Sequence, residues 1–150
     1  MGKIHSINIS EQKGVKKNPV DKAVIDDKGI QGDGHSGDWH RQVSFLPLES
    51  ILSFNSMAKM ETKPGEFGEN ITTFGIDLKQ LKIGDRLMIL KPGADISDSV
   101  VLELTQIGKE CHTPCRIFYE VGRCIMPVEG IFFKVIKTGE IMPGDDIFLL

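Results

Sequence analysis

Three cysteines, Cys111, Cys115 and Cys124, fall in one short segment of a 150-residue chain. An odd number of thiols with no export signal argues against a disulfide scaffold. Clustered thiols in a reducing compartment point instead to metal, sulfur or redox chemistry. The plain alternative is that they pack as small hydrophobes. Cys115 has the best local reason to react. Thr113 is a good N-cap, Pro114 suits the first helical position and Gly122 suits a helix end. The residues from Cys115 to Val121 then make about two helical turns, with Cys115 in the first. Backbone N–H groups left unpaired there, together with the helix dipole, favour an anion. Lys109, His112, Arg116 and Arg123 add positive charge nearby in sequence. Such a seat lowers a thiol from about 8.5 to roughly 4–7, and the thiolate is the form that attacks sulfur or binds a soft metal. A buried structural thiol is the competing reading of the same residue.

Two other chemistries are weaker. Cys111, His112, Cys115 and Cys124 are four potential zinc ligands, but a CxxxC pair followed by one Cys nine residues on is not a zinc-ribbon spacing. A papain-type nucleophile needs a histidine and a third orienting group. His35 or His40 could supply the first, yet no such motif surrounds them.

Two polar stretches offer partners for the cysteine segment. Gly32-Asp33-Gly34-His35-Ser36-Gly37-Asp38-Trp39-His40 is too rich in glycine for regular structure and leads into Arg41-Gln42-Val43-Ser44. Glycine lets a ligand approach the backbone closely, and His40 and Arg41 can bind phosphate or another oxyanion. A solvated loop is the alternative. Gly65-Glu66-Phe67-Gly68-Glu69-Asn70-Ile71-Thr72-Thr73 is a second polar loop entering an apolar strand, where Glu69 and Asn70 either orient a ligand or cap the turn.

Short strands must position these groups. Sixteen glycines and seven prolines punctuate the chain at close intervals, which favours strands and turns over long helices. Ile4 to Ile9, Lys22 to Ile25, Val43 to Leu46, Val100 to Ile107 and Ile131 to Ile136 read as strands, the last turned back by Lys137-Thr138-Gly139. Residues Glu11 to Asn18 read as a mobile polar loop. Pro47 can open a short helix with Leu48, Ile51 and Leu52 on its inner face. Ile83-Gly84-Asp85-Arg86-Leu87-Met88-Ile89-Leu90 and Pro143-Gly144-Asp145-Asp146-Ile147-Phe148-Leu149-Leu150 echo one another, each a Gly-Asp turn feeding an apolar strand. The expected architecture is a mainly β, barrel-like domain with a few short helices, spanning residues 1–150 as a single unit.

The bulk numbers narrow the function. A net charge of −3 argues against a general nucleic-acid binder. No apolar run approaches the roughly 20 residues of a membrane span, and the first residues lack the apolar stretch of a secretory signal. The protein is expected in the cytoplasm. With 150 residues, a donor enzyme or co-substrate domain must come from another chain.

Taken together, the segments resemble the MOSC domain, named for the C-terminal domain of molybdenum cofactor sulfurases, in its short stand-alone bacterial form. The matching pieces are Gly32-Asp33 with His40-Arg41-Gln42-Val43-Ser44, then Gly68-Glu69-Asn70-Ile71-Thr72-Thr73 with Gly84-Asp85. Gly108-Lys109-Glu110-Cys111-His112 with Cys115 follows, and then Gly130-Ile131-Phe132-Phe133-Lys134-Val135 with Gly144-Asp145. The resemblance implies a barrel-like fold and a role in binding molybdenum cofactor (molybdopterin) or in transferring sulfur to it. It assigns the key cysteine to Cys115, as a persulfide carrier or a molybdenum ligand, with Cys111 and Cys124 as secondary thiols. It places His40, Arg41, Glu69, Asn70, Lys109, His112 and Arg116 around the cofactor. The pyridoxal-phosphate desulfurase domain of the sulfurases is absent here. So is the N-terminal β-barrel domain of the molybdenum-dependent reductases of N-hydroxylated compounds. The implied partners are therefore a cysteine desulfurase or other sulfur donor, and molybdenum cofactor enzymes or biosynthesis proteins. Reduction of N-hydroxylated compounds, or a non-catalytic interaction module with inert thiols, are the other functions open to such a sequence.

Overall fold

The strands close into a ring. In the computed structural model, which describes residues 1–109, 122 and 124–150, eleven strands are assigned among the described residues. These are β1 (Gly2–Ile9), β2 (Asn18–Val20), β3 (Ala23–Asp26), β4 (Gly29–Ile30), β5 (Val43–Pro47), β6 (Ile71–Phe74), β7 (Arg86–Leu90), β8 (Val100–Ile107), β9 (Ile131–Lys137), β10 (Gly139–Ile141) and β11 (Asp146–Leu149). The order β11-β7-β8-β9-β5-β6-β1 closes through β11 and β1 into a seven-stranded barrel, with β2 added outside β1. All its pairings are antiparallel except β5 with β6. A small sheet, β10-β3-β4, lies beside it. Two α-helices are described, α1 (Leu48–Ala58) and α2 (Met126–Glu129), so the fold is mainly β as expected. No described helix is long and apolar enough to cross a membrane.

Side-chain pattern explains the strands. β1 carries Ile4 and Ile7 inward although they are three residues apart. A register shift against β6 between Ile4 and Ser6 is a bulge that resets the two-residue alternation. β5 is buried on both faces. Val43 and Phe45 enter the barrel core, where Phe45 packs on Phe133 with ring centres 4.5 Å apart. Leu46 faces outward into a second cluster with Ile51, Phe54, Phe67, Met126 and Phe132, under α1 and α2.

The echoed Gly-Asp segments are one turn used twice. Gly84 and Gly144 adopt φ of 96° and 93°, open to glycine and strained for other residues. Asp85 and Asp145 each fold back, Oδ2 accepting from the N–H of Lys82 and Met142 respectively. The strands that follow, β7 and β11, pair with one another.

Two expectations need correction. Pro47 does precede α1, but the inner face is Ile51 and Phe54, and Leu52 is 56% exposed. Spacings of three and four along a helix, and not of one, share a face. The stretch from Glu11 to Asn18 is not free in solvent throughout: Lys17 is buried, and its N–H donates to the Gly65 carbonyl at 2.8 Å.

Candidate functional site

A lysine and an aspartate without solvent form the base of the site. Lys17 Nζ lies 2.7 Å from Asp33 Oδ1, with both side chains fully buried. Lys17 comes from the loop after β1 and Asp33 from the glycine-rich loop between β4 and β5. Asp33 also accepts from the N–H of Ser10 and of His35. Burial pushes the Asp33 carboxyl up. The Lys17 hydrogen bond and charge, with those two N–H donors, outweigh it and hold the group below the usual carboxylate range. Burial likewise pushes the Lys17 ammonium down, and Asp33 offsets part of that. The loop before β6 packs on the Lys17 loop through Gly65, which has a φ of 90°. A Cβ there would sit 2.3 Å from the Lys17 carbonyl oxygen.

His35 and Trp39 build upward from this pair. The Trp39 indole N–H donates to the His35 carbonyl at 2.7 Å, and the two rings stack with centroids 6.3 Å apart. Burial first, then the charge of Lys17, bring the His35 imidazole from its ordinary 6.5 to about 4, with Lys109 and Lys13 adding to the effect. His35 is therefore neutral at physiological pH. Two cations cover Trp39: Lys13 Nζ at 4.3 Å and the Arg41 guanidinium at 4.6 Å from the ring centre. Arg41 also lies 5.7 Å from the Phe132 ring centre. Gln42 fixes the loop to the barrel, its amide donating to the Gly37 and Asp27 carbonyls and accepting from Val135 N–H.

Glu69 and Asn70 stand next to each other and differ in use. Asn70 is spent on structure. Its Oδ1 accepts from Ser44 N–H and Ser44 hydroxyl, and its Nδ2 donates to the Asn8 carbonyl. It ties β1, β5 and the start of β6 together. Glu69 is fully buried. The Thr72 hydroxyl donates to Oε2 at 2.9 Å, and Oε1 has no hydrogen-bond partner among the described residues. Burial raises the carboxyl to about 7 against the pull of Thr72 and of the Gly65, Phe67 and Glu69 N–H dipoles, none of which forms a well-aligned bond to Oε1.

The same end of the barrel brackets the cysteine segment. Gly108 N–H donates to the Gly130 carbonyl at 2.7 Å and Lys109 N–H to the Pro127 carbonyl at 3.1 Å. Lys109 is felt electrostatically by both Lys17 and His35. His40 Nε2 lies 2.7 Å from Gln106 Oε1, and the His40 carbonyl accepts from the Thr105 hydroxyl. A groove of about 490 Å³ beside α1 carries Glu49, Asp77 and Glu129, with Lys79 paired to Glu129. It has no share in this cluster.

The MOSC domain family model matches residues 32–148. The chain belongs to the MOSC family. That family is generally linked to molybdenum cofactor-binding proteins. A Bacillus subtilis relative, the uncharacterized protein YflK, is 24% identical over 91% of the chain, which spans 63% of that relative's length. Among solved structures, the YuaD protein of Bacillus subtilis superimposes with a TM-score of 0.77 at 21% identity, covering 97% of this chain and 93% of its own. YiiM of Geobacillus stearothermophilus gives 0.74 at 20% identity, covering 100% and 75%. YiiM of Escherichia coli gives 0.68 at 18% identity, covering 100% and 70%. These structures share the fold.

Within this MOSC domain, Arg41, Glu69 and Lys109 join one cluster through Trp39, His35 and Lys17. His40 stands at its exposed edge, against Trp39 and Gln106. Asn70 adjoins the cluster with its amide already committed. Cys124 is half-buried against the Leu46–Phe132 cluster. Cys111, His112, Cys115 and Arg116 lie outside the described residues, as do the expected helix from Cys115 to Val121 and the zinc alternative. Lys13, Lys17 and Trp39 were not singled out by sequence reasoning, Asp33 entered it only as part of a motif, and His35 only as a candidate partner for a papain-type nucleophile. Trp39 carried a signal, being the one tryptophan of the chain and placed directly before His40-Arg41. Lys17 carried none, because a lysine in a polar loop looks solvated until the loop opposite is known.

The cluster fits an anionic, phosphate-bearing cofactor. Among the described residues, Arg41 Nε and His35 Nδ1 are buried without a hydrogen-bond partner. Lys13, Lys17, Arg41 and Lys109 supply cations, of which Lys17 is already matched by Asp33. Buried polar atoms left unpaired cost about 1–3 kcal/mol each, so a ligand that pairs them recovers that cost.

Proposed function

We propose that this MOSC domain binds molybdenum cofactor at the end of the barrel and acts through Cys115. The supporting observation is the cationic cluster of buried, unpartnered polar atoms, felt by Lys109 at the point where the cysteine segment begins. In this reading Arg41, Lys13 and Lys109 hold the cofactor's anionic end. Trp39 fixes the Arg41 guanidinium as a planar fork suited to phosphate. His40 contributes from the rim. Asp33 keeps Lys17 and the His35 backbone in place, and neutral His35 offers a hydrogen-bonding nitrogen without adding charge. When bound, the cofactor would supply a metal centre able to accept sulfur or exchange electrons. Cys115 serves as the sulfur-carrying thiolate, with His112 and Arg116 in its sequence surroundings favouring the anion, and Cys111 and Cys124 as secondary thiols. A cysteine desulfurase supplies the sulfur, and a molybdenum cofactor enzyme or biosynthesis protein receives it.

Three variants, each keeping one cysteine, test the assignment. Sulfur loading by a cysteine desulfurase is read by mass spectrometry, and alkylation rates are read as a function of pH. The Cys115-only variant is expected to take up one sulfur and to alkylate fastest near neutral pH. If another single-cysteine variant does both and Cys115 does neither, the assignment to Cys115 fails.

A further inference from the structure

Two neighbouring residues of β8 reach the same histidine. The Thr105 hydroxyl donates to the His40 carbonyl, and Gln106 Oε1 lies 2.7 Å from His40 Nε2. Consecutive side chains of a regular strand point to opposite faces. Here the register against β9 shifts. Leu104 pairs with Phe133 and Gln106 with Phe132, so Thr105 is the extra residue of a β-bulge. The bulge resets the alternation and re-aims both side chains toward His40. Leu104 stays in the core, while Thr105 and Gln106 stand outside it.

The far end of the Gln106 amide decides which of its atoms faces His40. Gln106 Nε2 donates to the Gly108 carbonyl at 2.8 Å. That carbonyl can only accept. It is also held in place: Gly108 N–H donates to the Gly130 carbonyl at 2.7 Å, and a Cβ on Gly108 would lie 2.6 Å from the Pro127 carbonyl oxygen. Turned over, the amide would set two oxygens against each other. The atom facing His40 is therefore the oxygen, which again only accepts, so His40 Nε2 carries a proton. A neutral imidazole has one N–H. With that proton on Nε2, Nδ1 is a bare acceptor, and no described residue bonds to it.

We propose that Gln106 is a positioning residue of the site: it holds neutral His40 with its proton on Nε2, so that Nδ1 accepts a hydrogen bond from an N–H or O–H of the ligand. The proposal rests on the reading of this end of the barrel as a cofactor site, and it divides the work there. The cations Lys13 and Arg41 take the anionic end. Neutral His40, edge-on to Trp39 with ring centres 6.0 Å apart, takes an uncharged donor. A pterin ring carries such donors on its nitrogens, and a phosphate dianion has none. Gln106 also ties His40 to Gly108, the residue before Lys109. One amide thus sets both the glycine-rich loop and the start of the cysteine segment.

Long-range nitrogen-15 correlation spectra of ligand-free protein, recorded where the imidazole is neutral, read the tautomer directly. Wild-type His40 is expected as the Nε2–H form, with that proton protected from exchange with water. Gln106→Met keeps the side-chain length and loses both hydrogen bonds. It is expected to lose the protected proton and to populate both tautomers, while unchanged His35 signals show the fold intact. A second comparison reads the nitrogen that meets the ligand, in protein purified from a host that makes the cofactor. The amide of His40→Asn can place its oxygen near the Nδ1 position, and that of His40→Gln reaches only the Nε2 position. Pterin content is expected to fall about fivefold in His40→Gln, the loss of one neutral hydrogen bond, and to fall less in His40→Asn. An Nδ1–H tautomer in wild type, a protected Nε2–H that survives in Gln106→Met, or His40→Gln loaded as fully as wild type each overturns the proposal. The expected spectra from a protein that never acquires pterin uphold the hold of Gln106 on His40 and remove the cofactor reading.

Discussion

At the scale of single residues, the site trades stability for unsatisfied chemistry. Asp33→Ala would strand the Lys17 ammonium in a place with no solvent, and breaking a buried pair in this way costs about 3–5 kcal/mol. Urea unfolding should show that loss for Asp33→Ala and a smaller one for the double variant Lys17→Ala/Asp33→Ala, because the double change leaves no lone charge. Two further groups give opposite pH dependences. His35 titrates at about 4 in the fold against 6.5 ordinarily. Its contribution is complete above 6.5 and is lost as pH falls through about 4. Glu69 titrates at about 7 against 4.5. Its contribution is complete below 4.5 and is lost as pH rises through about 7. Each shift corresponds to about 3 kcal/mol at full extent, so between pH 4.5 and 6.5 the two slopes oppose and wild-type stability stays nearly level. Glu69→Gln removes one slope. Its stability is expected to climb with pH from 4.5 to 6.5 and to exceed wild type above pH 7. Parallel profiles for the two proteins would show that Glu69 does not carry this titration.

At the scale of elements, the sequence was most legible where one local rule decides the outcome. The alternation of Val100 to Ile107 gave β8 over the same residues, and the two Gly-Asp segments became two copies of one turn. Reading failed where a distant partner decides. Leu52 looked like a core residue until the β-sheet beneath α1 chose the Ile51–Phe54 face. Asn70 was read as orienting a ligand or capping the turn, and the approach of β1 and β5 fills its amide with Ser44 and Asn8. Asn70→Ala should cost a few kcal/mol, since Ser44 and Asn8 groups would be left buried and unpaired at about 1–3 kcal/mol each. The glycines separate the same two cases. Gly84→Ala meets no atom within 4 Å, so its cost is the backbone alone, about 1–2 kcal/mol. Gly65→Ala adds a collision with the Lys17 carbonyl and is expected to be the more damaging of the two in thermal melts, pushing apart the loops that carry Lys17 and Glu69.

At the scale of the whole molecule, the barrel, closed by β11 on β1, leaves one end where the loops after β1, β4 and β8 and the loop before β6 converge. The MOSC resemblance was readable because its motifs are short local segments that can be read without knowing their partners. The cluster itself was not, because Lys17 and Asp33 come from separate loops that meet only in the folded chain. The chain spans 63% of the length of YflK. The central claim, that this end of the barrel holds molybdenum cofactor, is tested most directly by purifying the protein from a host that makes the cofactor. Molybdenum is measured by elemental analysis and pterin by fluorescence after oxidation. Wild-type protein is expected to carry pterin near one per chain, with content reduced at least tenfold in Arg41→Ala, the loss of a charge-assisted phosphate contact of about 1.5–3 kcal/mol. Wild-type protein free of both molybdenum and pterin, or an Arg41→Ala variant loaded as fully as wild type, would contradict it.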